Sequence, residues 1–464
     1  LPAEVVNAAA ASSLPGHAPA GANLADIDPA GLFSSIDLSG RRRVAVAVSG
    51  GGDSLALLIL FRRFLEATHS PVEPVAVTVD HRLRPESADE ARQVAGIAAG
   101  LGIAHRTMAW DAAKPAAGLS AAAREARHLL LAQAAREAGT DIVLTGHTLD
   151  DQAETLAMRR ARGQGRGEAG IAPATLFDWR CWFVRPLLGT RRAALRRFLA
   201  GLGQAWIDDP SNANMASERA RTRAALDGPG ILRLAAEAEA AGQRRADLGV
   251  RAAALIAAHA RMPAPGLVRL DRRIAAEPDR AAGAYALRIL LACTGGREHL
   301  PDEERAAALL GRMDGVNFRA TLSRSVIDVR RAAVFLLRER RGLPEPQPAA
   351  PGLWDGRYRL EGAGAGETVM AAGEAGAGKV EAPADVPQSL EDAAAPARPA
   401  VRLDGGACAF LDTAGGHSGI RARPVVAPWA RYLPLFDAAP AAAAAALLGA
   451  EPVPTAPFAG HNGR

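Results

Sequence analysis

One stretch limits what this chain can fold into more than any other. Val44-Ala-Val-Ala-Val48 reads as a buried strand, Ser49-Gly-Gly-Gly-Asp-Ser54 as a loop, and Leu55 to Leu65 as a helix. Three consecutive glycines let the backbone bend tightly and approach an anion, and the free N–H groups opening the next helix carry the positive partial charge that phosphate needs. In an arbitrary place these six residues would read as a turn. Between a buried strand and a helix, Ser49, Gly50, Gly51, Gly52, Asp53 and Ser54 read as a phosphate loop. It is not a Walker A loop, because no Lys-Ser/Thr follows the glycines. Gly373-Glu-Ala-Gly-Ala-Gly-Lys379-Val380 mimics that pattern, but Val380 offers Mg²⁺ no hydroxyl and the stretch lies in Ala/Gly-biased sequence, so it is set aside.

Strand and helix patterns keep alternating to about Gly203. Val75 to Val79 is a second strand ending at Asp80-His81, Ser87 to Ala99 a helix, Ile103 to Trp110 a strand, Ser120 to Ala138 a long helix, and Asp141 to Thr145 another strand. Thr148-Leu-Asp-Asp151 has the spacing that caps the next helix. This order predicts an α/β fold, a parallel sheet with helices on both faces, whose ligands lie in the crevice at the carboxyl ends of the strands. The remaining sequence predicts five segments. Residues 1–40 read as a disordered tail, 41–226 as the catalytic domain, and 227–341 as a mainly helical domain closed by a hairpin of Val326–Arg330 and Ala333–Arg338. Residues 342–400 read as a Pro/Ala/Gly-rich linker with one strand near Tyr358, and 401–464 as a small β-containing module.

Cys181, Cys293 and Cys408 are far apart, so neither a disulfide framework nor a thiolate metal site is expected, and a reducing cytoplasm fits. Residues 1–40 hold no Lys or Arg, which removes the basic start of a targeting signal. No apolar run approaches the roughly 20 residues of a membrane span. The expectation is a cytoplasmic chain without a membrane partner. Its net charge is +5, but between Arg159 and Arg223 thirteen arginines and five acids give a local +8. That concentration fits a polyanionic partner, with a solvated arginine-rich face as the plainer reading.

A second constellation is Thr145-Gly-His-Thr-Leu-Asp-Asp-Gln-Ala-Glu-Thr155. With a helix starting near Thr148, Glu154 shares a face with Asp150 or Asp151. Helix capping and dipole compensation would account for these acids in isolation. Following a strand end in the same domain, however, they point into the crevice, where carboxylates hold Mg²⁺ between phosphates or grip a substrate ammonium. His81 and His147 end two of the strands. Trp206, Trp354 and Trp429 read as core or domain contacts rather than stacking platforms.

The S-G-G-x-D-S loop resembles that of the PP-loop ATP pyrophosphatases, Rossmann-like enzymes that cleave ATP between the α and β phosphates. Further segments resemble one branch, the tRNA(Ile)-lysidine synthetase family. These are Asp80-His-Arg-Leu-Arg-Pro-Glu-Ser87, Ala123-Arg-Glu-Ala-Arg127, His147-Thr-Leu-Asp-Asp-Gln-Ala-Glu-Thr155 with Arg162-Gly163, Asp208-Asp-Pro-Ser-Asn212, and Arg219-Ala-Arg-Thr-Arg223. Together they run from Val44 to Arg223 in the family's order. The chain departs at Gly146, where the family usually has His, and at Ala220, where Asn is common; roles at those positions do not carry over.

The resemblance implies ATP-dependent ligation of L-lysine to C2 of the wobble cytidine of CAU-anticodon isoleucine tRNA, through an adenylated intermediate, with ATP and Mg²⁺ as cofactors. It implies catalytic roles for Asp53, Asp151, Glu154 and Asp150, with Asp53 and Asp151 as candidate Mg²⁺ ligands. Arg124, Arg127, Arg219, Arg221 and Arg223 would meet phosphate of ATP or tRNA, and Arg159, Arg160, Arg162, Arg191, Arg192, Arg196 and Arg197 the tRNA backbone. Oligomeric state stays open, a homodimer included. Three other readings remain: a tRNA thiolase, which usually needs close cysteine pairs that this chain lacks; an amidotransferase-type synthetase, which needs a glutaminase cysteine; and a nucleotide-dependent RNA-binding protein without turnover.

Overall fold

The computed structural model describes residues 27–163, 168–207, 215–362, 366–376, 381–403 and 407–458. The chain forms two compact units. One comprises the described residues within 27–245, 434–436 and 454–458; the other comprises those within 246–433 and 437–453.

The first unit begins with α1 (Pro29–Phe33), β1 (Arg43–Ala47), α2 (Gly52–Ala67), β2 (Glu73–Asp80), α3 (Ser87–Gly100) and β3 (Ala104–Ala109). It continues with α4 (Leu119–Glu137), β4 (Ile142–Leu144), α5 (Leu149–Ala161), β5 (Ala174–Phe177), β6 (Cys181–Val184), α6 (Arg192–Gly201) and α7 (Glu218–Ala225). These strands lie in the order β5-β6-β4-β1-β2-β3. All pairings from β6 to β3 are parallel, with Ala45 of β1 opposite Val75 on one side and Val143 on the other. Strand β1 is central, which is why its run is apolar without alternation. The predicted α/β fold is present, and its parallel direction brings Ser49, Asp80 and Gly146 to one edge.

The antiparallel hairpin β5–β6 has no turn signature in the sequence. In its three-residue loop (178–180), Asp178 and Trp179 form the centre of a turn with positive φ at both positions (49° and 64°), a conformation usually advertised by Asn-Gly. Burial of Leu176, Phe177 and the whole of β6 outweighs that local cost. The tail expected through residue 40 also needs correction. Asp28 caps α1, accepting from Ala30 N and Gly31 N at 2.9 and 3.0 Å. Phe33 is fully buried, its ring 5.2 Å from that of Phe61 and 5.5 Å from that of Phe64. One turn of helix is too short to show a period, so only packing reveals it.

Helix α8 (Gly228–His259) leads into the second unit, followed by β7 (Ala260–Ala264), β8 (Leu267–Leu270), α9 (Arg280–Gly295), α10 (Glu303–Arg312), β9 (Phe318–Leu322), β10 (Ser325–Val329) and β11 (Val334–Arg338). The expected hairpin is β10–β11, but it lies inside a five-stranded antiparallel sheet, β7-β8-β11-β10-β9. Residues 342–400 are no linker. They supply β12 (Gln347–Pro348), β13 (Gly352–Trp354), β14 (Tyr358–Glu361), β15 (Thr368–Ala371) and α11 (Gln388–Ala394). Leu390 and Ala394, four apart on α11, pack with Val386 just before the helix on Leu267, Phe335 and Leu337 of the five-stranded sheet. With β16 (Pro399–Arg402), β17 (Cys408–Phe410), β18 (Arg421–Pro424) and α12 (Ala438–Leu448), the unit has two more sheets, β12-β15-β16-β17 and β13-β14-β18. Their shared core includes Trp354, Leu360, Val369, Val401 and Ile420. Alanine- and glycine-rich composition hid these strands because small residues carry little pattern. The Walker-like lookalike falls apart here too: residues 373–376 form a single 3₁₀ turn, and 377–380 lie outside the described residues.

The correction at α1 is measurable. Phe33→Ala should lower unfolding stability in denaturant by about 3–5 kcal/mol, the range for a buried aromatic truncation; a disordered tail would show no loss.

Candidate active site

Strand β1 delivers the chain into a loop whose shape is held by its own serines. Ser54 Oγ donates to Gly51 O at 2.9 Å and accepts from Ser49 N at 3.1 Å. Gly50 sits at φ +87°, and a Cβ there would lie 2.6 Å from Ile207 Cδ1 and 3.2 Å from Val94 Cγ2. Ile207 N donates to Gly50 O at 2.9 Å, tying the loop to the segment after α6. Gly51 precedes α2 without a side-chain cap, so the first-turn N–H groups keep their capacity for an anion. The loop after β4 crosses close behind. A Cβ on Gly146 would come 3.0 Å from Asp53 O and 3.1 Å from Ser54 N, which is why glycine suits this position.

These loops open onto a cleft of about 710 Å³ lined by Ser49, Gly51 to Ser54, Asp80, His81, His147 and Asp151, together with Arg127, Arg192, Arg196, Arg219 and Arg223. Among the lining groups Asp53 and Asp151 meet a network centred on Arg192. Its Nε donates to Asp53 Oδ2 at 3.0 Å, Nη2 to Asp151 Oδ1 at 2.8 Å, and Nη1 to Glu154 Oε1 at 3.0 Å. Arg219 donates to Glu154 Oε2 (2.8 Å) and Asp151 Oδ1 (3.0 Å), and Arg223 Nε to Glu154 Oε1 (2.7 Å). Three carboxylates and three guanidinia therefore interleave.

The capping box read from Thr148 and Asp151 sets this up. Thr148 N donates to Asp151 Oδ2 at 2.8 Å, which fixes the start of α5 and aims Asp151 and Glu154 from one face. Asp150 points elsewhere: it accepts from Arg192 N at 2.8 Å and Arg191 Nε at 3.2 Å, capping the start of α6 instead of joining the cluster.

Charge and burial pull the groups apart. Burial lifts the Asp53 carboxyl above its usual range despite Arg192 beside it. Burial acts on Glu154 in the same sense, but hydrogen bonds from Arg223 and Arg219 outweigh it and hold Glu154 low. For Arg192, burial opposes the charge while Asp151, Asp53 and Glu154 more than restore it. His147, half-buried at the cleft with Nδ1 3.2 Å from Thr145 Oγ1, is pushed well below its ordinary value by burial and then by Arg185, Arg219, Arg124 and Arg127. It is neutral at physiological pH. His81 is shifted the same way by burial and Arg127.

The predicted arginines divide. Arg219 and Arg223, four apart on α7, face the cleft, whereas Arg221 on the other side donates to Met215 O and Ala216 O. Arg127 lines the cleft with Nη2 3.4 Å from His81 Nε2; Arg124, on the same helix, is exposed. Of the set assigned to the RNA backbone, Arg159 donates to Gly170 O, Arg160 pairs with Glu237, Arg162 with Glu218, and Arg191 with Asp150. Arg196 lines the cleft, its guanidinium 5.9 Å from the centre of the Trp206 ring, and Arg197 is exposed. Arg192 is the correction: it lies in the carboxylate cluster, a place that spacing alone did not reveal because its partners come from α2 and α5. The segment 208–212 lies outside the described residues.

Asp53 and Asp151 have the hard oxygens that Mg²⁺ takes, but the Arg192 guanidinium stands between them, and no group of three or more metal-ligating side chains converges among the described residues. The arrangement supplies its own counter-cation and does not fit a preformed metal site.

A PP-loop domain model matches residues 29–227. Across nearly the whole chain, the tRNA(Ile)-lysidine synthase of Mesorhizobium japonicum is 47% identical over 447 residues, 93% of this chain and 97% of its own length. The chain belongs to the tRNA(Ile)-lysidine synthase family. Further members from Rhizobium meliloti (42% identical, 71% of this chain and 75% of theirs) and Brucella melitensis (40%, 72% and 77%) agree. As a lysidine synthase family member it is a ligase that uses ATP through its PP-loop. No described helix is long and apolar enough to cross a membrane.

Two outcomes follow from this geometry. Gly50→Ala should raise the KM for ATP at least about tenfold, since a left-handed φ costs an L residue roughly 1–2 kcal/mol before the contact with Ile207 is counted. Glu154→Gln should destabilise the protein by no more than the low end of the roughly 3–5 kcal/mol for breaking a buried pair, because Arg219 and Arg223 reach solvent. Glu154 is held below its unfolded value, so the native advantage is fully present above about pH 4.3 and shrinks as pH falls through the lowered folded value. Denaturation midpoints of both proteins across pH 3–7, expected to converge at the acid end, would check this.

Proposed function

We propose that this chain activates the C2 carbonyl oxygen of the wobble cytidine in CAU-anticodon isoleucine tRNA with ATP and then couples free L-lysine to C2. The observation carrying this reading is the cleft that joins an uncapped phosphate loop to Asp53 and Asp151, with Glu154 buried behind them and tied in by Arg192. A cytosine carbonyl is a poor electrophile until its oxygen becomes a phosphoester leaving group. In the first step that oxygen attacks the α-phosphorus and pyrophosphate leaves; in the second the lysine amine attacks C2 and AMP leaves.

The backbone of Ser49 to Ser54 and the start of α2 would seat the phosphates, with Arg219 and Arg223 neutralising charge on the leaving pyrophosphate. Asp151 and Glu154 would hold the lysine ammonium. Asp53, whose carboxyl burial lifts, would accept the proton the amine must lose. Asp150, held at the start of α6, stays outside the reaction. Contact with tRNA phosphates falls to Arg196, Arg197, Arg124, Arg127 and Arg221, and the setting is the cytoplasm, where tRNA is modified. The thiolase alternative is weakened by the cysteines: burial pushes the Cys181 and Cys293 thiols up to about 12, far from the thiolate that sulfur transfer requires.

Incorporation of labelled lysine into unmodified CAU isoleucine tRNA is expected to require ATP, to fall at least about 100-fold in Asp53→Ala, as for loss of a catalytic acid–base group, and to fall strongly in Asp151→Ala through lost hold on the lysine ammonium. Free lysine alongside RNA-dependent release of AMP and pyrophosphate would remove the lysidine assignment while leaving an ATP pyrophosphatase.

A further inference from the structure

We infer that Arg192 determines amine specificity: its guanidinium is a tethered competitor that fills the cation cradle of the cleft until a primary ammonium displaces it. The inference rests on the proposed use of a free amine substrate in this cleft. Each of the three guanidinium nitrogens meets a different carboxylate oxygen, Asp53 Oδ2, Asp151 Oδ1 and Glu154 Oε1, all at 2.8–3.0 Å. Three acceptors around one cation is also the complement of an –NH₃⁺ group, which has three donors and no acceptor. The cradle that holds Arg192 thus has the count and charge that would hold a lysine side chain.

Charge balance requires the exchange. Asp53, Asp151 and Glu154 are already matched by Arg192, Arg219 and Arg223. A fourth cation added without displacement would lack a partner. Arg192 is the one built to leave. Its backbone is pinned separately, N–H to Asp150 Oδ2, so the side chain can swing while α6 stays in place. On leaving, it remains in a cleft shaped for polyphosphate, where a guanidinium finds bidentate anionic partners.

The exchange also selects. Free arginine would replace a guanidinium by an identical one, with no new contact to set against the entropy of association. A compact ammonium, with higher charge density and a different donor geometry, gains where arginine cannot. Specificity for lysine over arginine would then come from the resident of the cradle more than from its walls.

Equilibrium dialysis of the full-length chain against labelled lysine and labelled arginine, with a non-hydrolysable ATP analogue present, tests this. Arg192→Ala should bind lysine at least about tenfold more tightly than the native chain and should acquire arginine binding of comparable strength. Arg192→Lys, which returns a tethered cation, should bring lysine affinity back to the native level or below. Arg192→Gln, which keeps a hydrogen-bonding side chain without the charge, should behave as Arg192→Ala and guards against a folding defect; thermal unfolding and binding of the ATP analogue report that all variants are intact. Lysine affinity unchanged or lowered in intact Arg192→Ala and Arg192→Gln, with no gain for arginine, would overturn the inference and leave Arg192 a structural crosslink. Ligation of lysine to tRNA by the native chain is scored separately: its absence sinks the proposed function, whereas its presence with unchanged dialysis results sinks only the tethered competitor.

Discussion

Burial of Glu154 is the constraint around which the catalytic unit is arranged. A carboxylate with 2% of its side chain exposed persists as a charge only where cations compensate it, and three arginines from α6 and α7 converge on it. That demand recruits distant sequence. Arg192 comes from the first turn of α6, Arg219 and Arg223 from one face of α7, and Arg192 passes the connection on to Asp53 at the head of α2. One ion network therefore sets the relative positions of four helix segments around the cleft, and the local caps support it: Thr148 with Asp151 at α5, Asp150 at α6.

The phosphate loop depends on the same convergence from the other side. Its positive φ at Gly50 is tolerated because glycine has no Cβ, and the space saved is taken by Ile207 and Val94. Gly146 does the equivalent service for the strand β4 loop, letting the chain that bears His147 and the α5 carboxylates press against the backbone of Asp53 and Ser54. The glycine-loop backbone and the acidic side chains of α5 become neighbours only because two glycines let two loops approach, which brings both to one cleft.

Much of this was legible in the residues. The apolar run of β1, the glycine loop, the capping box and the four-residue spacing of Arg219 and Arg223 each rest on interactions within a few residues, which local pattern records. What was misread or not read at all has the opposite cause. Phe33 is ordered by Phe61 and Phe64, Leu390 by Phe335 and Leu337, and the Asp178-Trp179 turn by the burial of its flanking strands; in each case the deciding partner is remote and the local composition is bland.

The sequence by itself determined the fold class of the catalytic unit, the phosphate loop and the acidic helix start, because strand period, glycine geometry and helix capping are short-range physics. Only the tertiary structure decided which charges face each other. Asp150 and Asp151 are adjacent in the chain yet serve different helices, and Arg191 and Arg192, also adjacent, divide between Asp150 and the carboxylate trio. Successive residues on a helix start diverge by about 100° in direction, so the partner of each side chain is set by what packs against that face, and packing is a property of the whole fold.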